Sequence, residues 1–212
     1  MVRSLITRTG RFSATTLAVA SIAAVGFVIR LAILFRPLTI IDRLFIPDDT
    51  YYTLTIARSM AHGHGPTTDG TTLTSGFQPL LGFVMTPVFW LTNSADAALR
   101  ANLLFLIVAD TATIVVLAWV AFRLAGKAAA ILAAGLWAIS PVGIRMSLGG
   151  LETSLAILCE IALVAVWMWA NDAPSAMQLG NARARTRSMW VRRASKRIRW
   201  AALRAVQTRC TA

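Results

Sequence analysis

The sequence predicts an all-α, polytopic membrane protein, and two observations carry that prediction. Of the 212 residues, 57% are hydrophobic and only 14% are charged, with a mean hydropathy of +0.65; soluble domains carry about 25% charged residues. Apolar runs close to 20 residues recur along the chain, and that length lets a helix cross the hydrocarbon core of a bilayer. About four transmembrane helices and one interfacial helix are expected within a membrane domain over residues 1–170.

The first apolar run, Ala14–Phe35, follows three basic residues, Arg3, Arg8 and Arg11. A signal peptide also has a basic start, but its apolar region usually spans 7–15 residues. The longer run therefore predicts an uncleaved membrane anchor. Arg30, close to the far end of this span, is expected to extend its guanidinium to the interface.

Three more runs are long enough to cross a membrane: Leu103–Phe122, Ala128–Met146 and Thr153–Ala170. A fourth candidate, Phe77–Thr92, is shorter and contains Pro79 and Pro87. Its length and its prolines favour a helix that lies in the interface rather than one that crosses.

Charge asymmetry predicts the orientation, because basic residues that flank spans prefer the cytoplasm. A cytoplasmic N-terminus places a first external loop at about residues 36–98 and returns Arg123 and Lys127 to the cytoplasm. The turn at residues 149–152 is then extracytoplasmic, and the C-terminal tail is cytoplasmic. This topology of a multi-pass cell-membrane protein puts four carboxylates on the extracytoplasmic side: Asp48, Asp49, Asp69 and Glu152.

The tail at residues 171–212 contains ten of the 21 basic residues, all between Arg183 and Arg209. It therefore accounts for most of the net charge of +12. Two interpretations are open: a basic segment on anionic lipid, or the product of a reading-frame change in a truncated chain, which is slightly favoured. The predicted partner of the tail is membrane lipid and no nucleic acid; the oligomeric state is left open.

The paired carboxylates Asp48 and Asp49 are the first candidates for chemistry. Helical spacing of Tyr52, Ile56, Ser59 and Met60 predicts a short amphipathic helix over residues 49–61. One aspartate would then cap the helix N-terminus, where the helix dipole stabilises a carboxylate. Capping explains one member of the pair and leaves the other for a functional role.

Two further carboxylates, Asp110 and Glu160, lie inside predicted spans, where an unpaired charge costs on the order of 3 kcal/mol. Each is expected to face protein, to be protonated, or to pair with a cation such as Arg30 or Arg145. A transporter subunit that uses Asp110 and Glu160 is one alternative function.

Several short motifs follow one another in a characteristic order. They are Asp48-Asp49, Ile56-Ala57-Arg58, Gly63-His64-Gly65, Asp69-Gly70, the segment from Thr74 to Leu80, and Gly150-Leu151-Glu152-Thr153. This order, over about residues 10–170, resembles the GT-C-fold glycosyltransferases that use lipid-linked sugars, such as mannosyl- and arabinosyltransferases. Ser75, Gln78 and Leu151 depart from the patterns expected in bacterial members.

The resemblance implies sugar transfer from a polyprenyl-phosphate-linked donor to an acceptor hydroxyl on the extracytoplasmic side. It implies catalytic carboxylates at Asp48, Asp49 and Glu152, with Asp48 or Asp49 as the general base. The implied substrate-binding residues are Arg58, Asp69, Gln78 and Arg145, of which the two arginines would stabilise the leaving phosphate. Cofactor use stays open; a divalent metal held by Asp48, Asp49 and Glu152 is one candidate.

Members of that family are typically much longer than this chain. The expectation is therefore an N-terminal part only, in a truncated or incomplete copy whose activity depends on whether its site is complete. A catalytically inactive membrane fragment is the remaining alternative.

Overall fold

The computed structural model describes residues 13–172, which are helical apart from their loops and contain no strand. A single isolated bridge joins Thr67 and Leu73 within a loop. The described residues form eight helices in this order: α1 (Ala14–Leu34), α2 (Leu38–Phe45), α3 (Asp48–Ala61), α4 (Pro79–Met85), α5 (Val88–Leu91), α6 (Ala95–Ala138), α7 (Pro141–Leu148) and α8 (Thr153–Asp172).

Three of these helices are long and apolar enough to cross a membrane: α1, α6 and α8. They are consistent with a multi-pass membrane protein, as the sequence predicts. The bounds of α1 and α8 match the predicted spans Ala14–Phe35 and Thr153–Ala170 to within two residues.

Helix α6 consists of two segments that meet at Gly126, whose φ of +82° is outside the helical region. We call residues 95–125 α6a and residues 127–138 α6b. The indole Nε1 of Trp137 donates a hydrogen bond of 3.0 Å to Oδ1 of Asp110. In one straight helix these residues would lie about 40 Å apart, so α6b runs back along α6a. The predicted span Leu103–Phe122 lies in α6a, whereas Ala128–Met146 is divided between α6b and α7.

Small side chains form the core between α1 and the two segments of α6. Ala23 of α1 belongs to a buried cluster with residues of both segments: Ile114, Ala118, Ala130, Ala134 and Ala138. Small residues at helix contacts let backbones approach closely, which favours packing inside a membrane. A Cβ on Gly26 would lie 3.1 Å from Cδ1 of Ile114, so this contact has little spare room.

Arg30 is completely buried and does not extend to an interface, so the expectation of snorkelling is wrong. Its Nη2 lies 2.7 Å from Oδ2 of Asp110 in α6a, and its Nη1 donates to the backbone oxygens of Gly26 and Ala138. The physical reason is that polar partners are available on three helix segments within reach of the guanidinium. The predicted pairing of Asp110 with a cation such as Arg30 is confirmed, whereas Glu160 is exposed on α8.

The segment from α2 to α5 lies at the end of the bundle where α1 ends. There Arg100 of α6a donates hydrogen bonds to the backbone oxygens of Leu34 and Arg36. A second buried cluster unites this end of the molecule and includes Leu34, Ile41, Leu54, Leu81, Phe89, Leu99 and Leu148. The loops before α6a and after α7 are therefore neighbours, while the Gly126 turn lies at the opposite end.

The segment Phe77–Thr92, predicted as an interfacial helix, contains α4 and α5, which are interrupted between Met85 and Val88. Together they span about 20 Å, which is too short to cross a bilayer core of about 30 Å. The indole of Trp90 donates to the backbone oxygen of Ala61, at 3.1 Å, and so attaches α5 to the end of α3.

The described residues up to Val166 form one compact unit, and the end of α8 from Trp167 belongs to a second. In the first unit, α8 buries Ser154 at its beginning and exposes Leu163 and Val166 further along. The basic N-terminal residues and the basic tail from residue 173 onward lie outside the described residues.

Candidate functional site

The carboxylate pair begins α3. Pro47, with extended backbone (φ −79°, ψ 159°), occupies the N-cap position, and Asp48 and Asp49 lie in the first helical turn. Neither aspartate caps the helix, so that expectation is wrong; the helix begins one residue earlier than predicted. Both side chains are exposed.

Helix α3 is amphipathic, as predicted. Of the predicted face, Ile56 is buried, Ser59 and Met60 are half-buried and Tyr52 is exposed. The other buried residues of the helix are Thr50, Thr53, Leu54 and Ala57. The hydroxyls of Thr50 and Thr53 form hydrogen bonds with residues outside the helix. These hydrogen bonds determine which chain segments lie next to α3.

Thr50 docks directly on the Gly149–Gly150 turn after α7, where the last of the sequence motifs begins. Its hydroxyl donates to the backbone oxygen of Gly149 at 2.7 Å. Gly150 has a φ of +79°, and a Cβ there would lie 2.3 Å from Cγ2 of Thr50. Only glycine satisfies both the left-handed conformation and the close approach. Asn102 of α6a, fully buried, donates to the backbone oxygen of Gly150 at 2.8 Å and fixes the turn from the other side.

This docking brings together two carboxylate segments that are about 100 residues apart in the sequence. Asp49 precedes Thr50, and Glu152 follows Gly150 by two residues. The Oε2 atom of Glu152 is buried without a hydrogen-bond partner among the described residues. The contact of Thr50 with Gly149 and Gly150 thus brings the chain segments that contain Asp48, Asp49 and Glu152 to the same end of the bundle.

The motif at residues 74–80 meets α3 through Gln78. Its side-chain oxygen accepts a hydrogen bond from the Thr53 hydroxyl, and Gln78 occupies the N-cap position of α4. Tyr52 and Thr74 also share a hydrogen bond between their hydroxyls, at 3.1 Å. The predicted ligand-binding residue Gln78 therefore connects the first loop to α3 through its amide oxygen.

Asp69 organises the loop between α3 and α4. Its Oδ1 accepts hydrogen bonds from the backbone N–H groups of Thr72 and Thr71 and from the Thr67 hydroxyl, at 2.8–2.9 Å. These donors, the backbone N–H of Thr72 first, hold the pKa of Asp69 well below its usual range. The structure thus gives the predicted substrate-binding carboxylate of Asp69 a role in shaping this loop.

A groove of about 290 Å³ lies between α2 and α7 and continues to the start of α8; we call it the α2–α7 groove. Arg43 and Arg145 contribute two guanidinium groups to its lining, and the apolar residues are Leu44, Phe45, Ile46, Met146 and Leu151. Pro47 and Thr153, the neighbours of Asp48 and Glu152, also line it. Sequence reasoning missed Arg43 because it missed α2, although the apolar spacing within Leu38–Phe45 is that of an amphipathic helix.

A second groove of about 260 Å³ lies between α2, α3 and the start of α6; we call it the α2–α3 groove. Its polar side chains include Asp42, Tyr51, Arg58 and Asp96, and its apolar ones include Leu54, Phe89 and Leu99. The two predicted phosphate-binding arginines, Arg58 and Arg145, therefore line different grooves.

Tyr51 connects the walls of the α2–α3 groove. Its hydroxyl donates a short hydrogen bond of 2.6 Å to Oδ1 of Asp42. Partial burial, this hydrogen bond, and the charges of Asp42 and Asp96 raise the pKa of Tyr51 to about 12. The phenol is consequently a proton donor rather than an anion throughout the physiological range.

Within residues 13–172, no group of three or more His, Cys, Asp or Glu side chains is arranged to hold a metal ion. The candidate metal ligands Asp48, Asp49 and Glu152 come from neighbouring segments but do not form such a group here. No family model matches this chain, and no curated protein or solved structure matches it.

Proposed function

We propose that this protein is a membrane glycosyltransferase that transfers a sugar from a polyprenyl-phosphate donor to an acceptor hydroxyl at the extracytoplasmic membrane surface. The observation that carries the proposal is the α2–α7 groove, whose lining combines Arg43, Arg145 and apolar side chains with Pro47 and Thr153, the sequence neighbours of Asp48 and Glu152. The order of motifs that resembles GT-C enzymes supports the same reaction.

The groove suits both parts of such a donor. Arg43 and Arg145 supply planar, permanently charged guanidinium groups, which bind phosphate oxygens through paired hydrogen bonds. The apolar side chains on the same lining, among them Phe45 and Leu151, match the first isoprene units of the lipid. When the bond between sugar and phosphate breaks, the two cations stabilise the charge that develops on the leaving phosphate.

The exposed pair Asp48 and Asp49 supplies the general base. A carboxylate within hydrogen-bond reach of an acceptor hydroxyl takes its proton while that oxygen attacks the anomeric carbon. Both carboxylates stand in the first turn of α3, directly after Pro47, a residue of the groove lining. The contact of Thr50 with Gly149 holds this turn against the segment that contains Glu152.

The proposal is tested by measuring sugar transfer in membranes that contain the full chain and a polyprenyl-phosphate-linked sugar. Asp48→Asn and Asp49→Asn are compared with the unaltered protein, and substitution of the base is expected to lower the rate by about 10²- to 10⁴-fold. Glu160→Gln is the matched change of an exposed carboxylate on α8 and is expected to leave transfer unchanged. Full activity in both aspartate variants would remove the proposed base.

A further inference from the structure

The α2–α3 groove is separate from the groove proposed for the donor, and the chemistry of its lining differs. We propose that it binds an uncharged saccharide. Its role as the acceptor site of a sugar transfer rests on the proposed function, whereas saccharide binding by itself does not.

The polar groups of the groove match a ligand whose hydroxyls both donate and accept hydrogen bonds. Arg58 presents guanidinium donors and forms no ion pair with any described residue. Asp42 and Asp96 present acceptor oxygens, and only Oδ1 of Asp42 is engaged, by Tyr51. The hydroxyl of Thr55 donates to the backbone oxygen of Tyr51, at 2.8 Å, which leaves its lone pairs as acceptors.

The apolar groups of the groove match the other property of a sugar ring, its C–H faces. Leu54, Phe89 and Leu99 are buried members of the core cluster that also line the groove. A sugar ring can pack its C–H face against these three apolar side chains while its hydroxyls form hydrogen bonds with the polar residues of the groove. The volume of about 260 Å³ is smaller than the roughly 300–1,000 Å³ of pockets that hold drug-sized ligands, and it suits one ring.

The charge of the groove selects against anions. Two carboxylates, Asp42 and Asp96, face one guanidinium, Arg58, so the formal charge of the lining is −1. Partial burial, the hydrogen bond to Asp42 and then the charges of Asp42 and Asp96 raise the pKa of Tyr51, so both carboxylates act on this phenol. The α2–α7 groove has two guanidinium groups and no carboxylate in its lining. The two grooves therefore separate an anionic lipid ligand from a neutral hydroxyl-rich one.

The test uses the full chain in nanodiscs of neutral lipid, with saturation-transfer NMR titrations of three probes. Methyl α-D-mannopyranoside and methyl α-D-glucopyranoside are the neutral probes, and methyl α-D-glucuronide is the anionic one. At least one neutral glycoside is expected to bind saturably and about tenfold or more tightly than the glucuronide. Asp96→Asn and Asp42→Asn should each weaken neutral binding about tenfold, because hydrogen bonds to a charged acceptor are lost.

Two comparisons make the result specific to this groove. Glu160→Gln, the same change on α8, is expected to bind like the unaltered protein. Whichever of Asp48→Asn and Asp49→Asn loses sugar transfer is expected to retain saccharide binding, so the failure of one proposal is distinguishable from the failure of the other. If Asp42→Asn loses its cooperative unfolding transition, the binding affinity of Asp96→Asn, a change at an exposed residue, is the measurement that tests the inference. Absence of saturable neutral binding, equal binding of the glucuronide, or unchanged binding in Asp96→Asn would each overturn the inference.

Discussion

Arg30 and Asp110 form a buried ion pair, with Nη2 of Arg30 2.7 Å from Oδ2 of Asp110 and both side chains almost fully enclosed. Further hydrogen bonds complete the pair: Nη1 of Arg30 donates to the backbone oxygens of Gly26 and Ala138, and the indole of Trp137 donates to Asp110. The guanidinium thus joins α1 to both segments of α6. This arrangement uses Asp110 to hold the bundle, which argues against its use as a mobile proton carrier.

Removing either member of this pair should strongly destabilise the bundle, because the remaining charge stays buried without its partner. Arg30→Met and Asp110→Leu are each expected to lower the free energy of unfolding by about 3–5 kcal/mol. The double variant should be more stable than either single variant, since no unpaired charge remains. Unfolding in detergent, followed by circular dichroism, measures the effect. Single variants as stable as the unaltered protein would contradict the arrangement.

Hydropathy predicted the lengths of α1 and α8 well, yet it could not predict the environment of Arg30. The length of a span follows from composition, whereas the rotation of a helix about its axis depends on neighbours that are distant in sequence. Asp110 is 80 residues from Arg30 along the chain, and nothing local to Ala14–Phe35 identifies it. The sequence therefore offered Arg30 and Arg145 as equal partners.

For the candidate site, too, the sequence predicted which segments are involved but not how their side chains are arranged. The motif order identified α3, Gln78 and the turn at Gly150 as one region, and the hydrogen bonds of Thr50 and Thr53 join them. The role of Asp69 in its own loop and the different grooves of Arg58 and Arg145 depend on tertiary packing. Helix α2 is short and marginal by itself, so the groove that it forms with α7 had no strong local signal.

Gly150→Ala should disrupt the junction of α3 with the turn after α7. Alanine at a φ of +79° is strained, and its Cβ would overlap Cγ2 of Thr50, so we expect a loss of at least about 2 kcal/mol. Adding Thr50→Ser removes the overlapping methyl group and should restore part of the stability. Gly135→Ala is the control, because a Cβ there meets no atom within 4 Å and alanine favours the helix. Chemical unfolding of all four proteins compares these outcomes; equal stability of Gly150→Ala and Gly135→Ala would refute the docking argument.

The two arginines of the α2–α7 groove should bind the phosphate of a lipid rather than its chain. Arg43→Gln and Arg145→Gln are each expected to weaken binding of farnesyl phosphate about tenfold, because a charge-assisted hydrogen bond is lost. Binding of farnesol, which lacks the phosphate, should not change. Lys127→Gln, an exposed cation of the Gly126 turn, is the control variant. Calorimetric titration into nanodiscs gives the affinities, and tight farnesyl phosphate binding by the double arginine variant would exclude the groove as the phosphate site.

Tyr51 should lose its phenolic proton at a higher pH than an ordinary tyrosine, and its pKa should depend on Asp42. The protein contains two tyrosines, so Tyr51 is the only one in a Tyr52→Phe background. Absorbance of the phenolate near 295 nm is expected to report a pKa of about 12, and Asp42→Asn should lower that pKa towards the ordinary value of 10. An unchanged midpoint in Asp42→Asn would show that the short hydrogen bond does not control this phenol.

The same shift predicts how stability depends on pH in the alkaline range. A pKa that is higher in the folded protein than in the unfolded chain means that the folded state binds the phenolic proton more tightly. The contribution of Tyr51 is therefore fully present below pH 10 and is lost as the pH rises towards about 12. Tyr51 is 42% exposed, so solvent screening makes this contribution small. In Tyr51→Phe, the decline in stability between pH 10 and pH 12 should be shallower than in the unaltered protein. Identical declines in urea unfolding series at those two pH values would contradict the coupling between Tyr51 and Asp42.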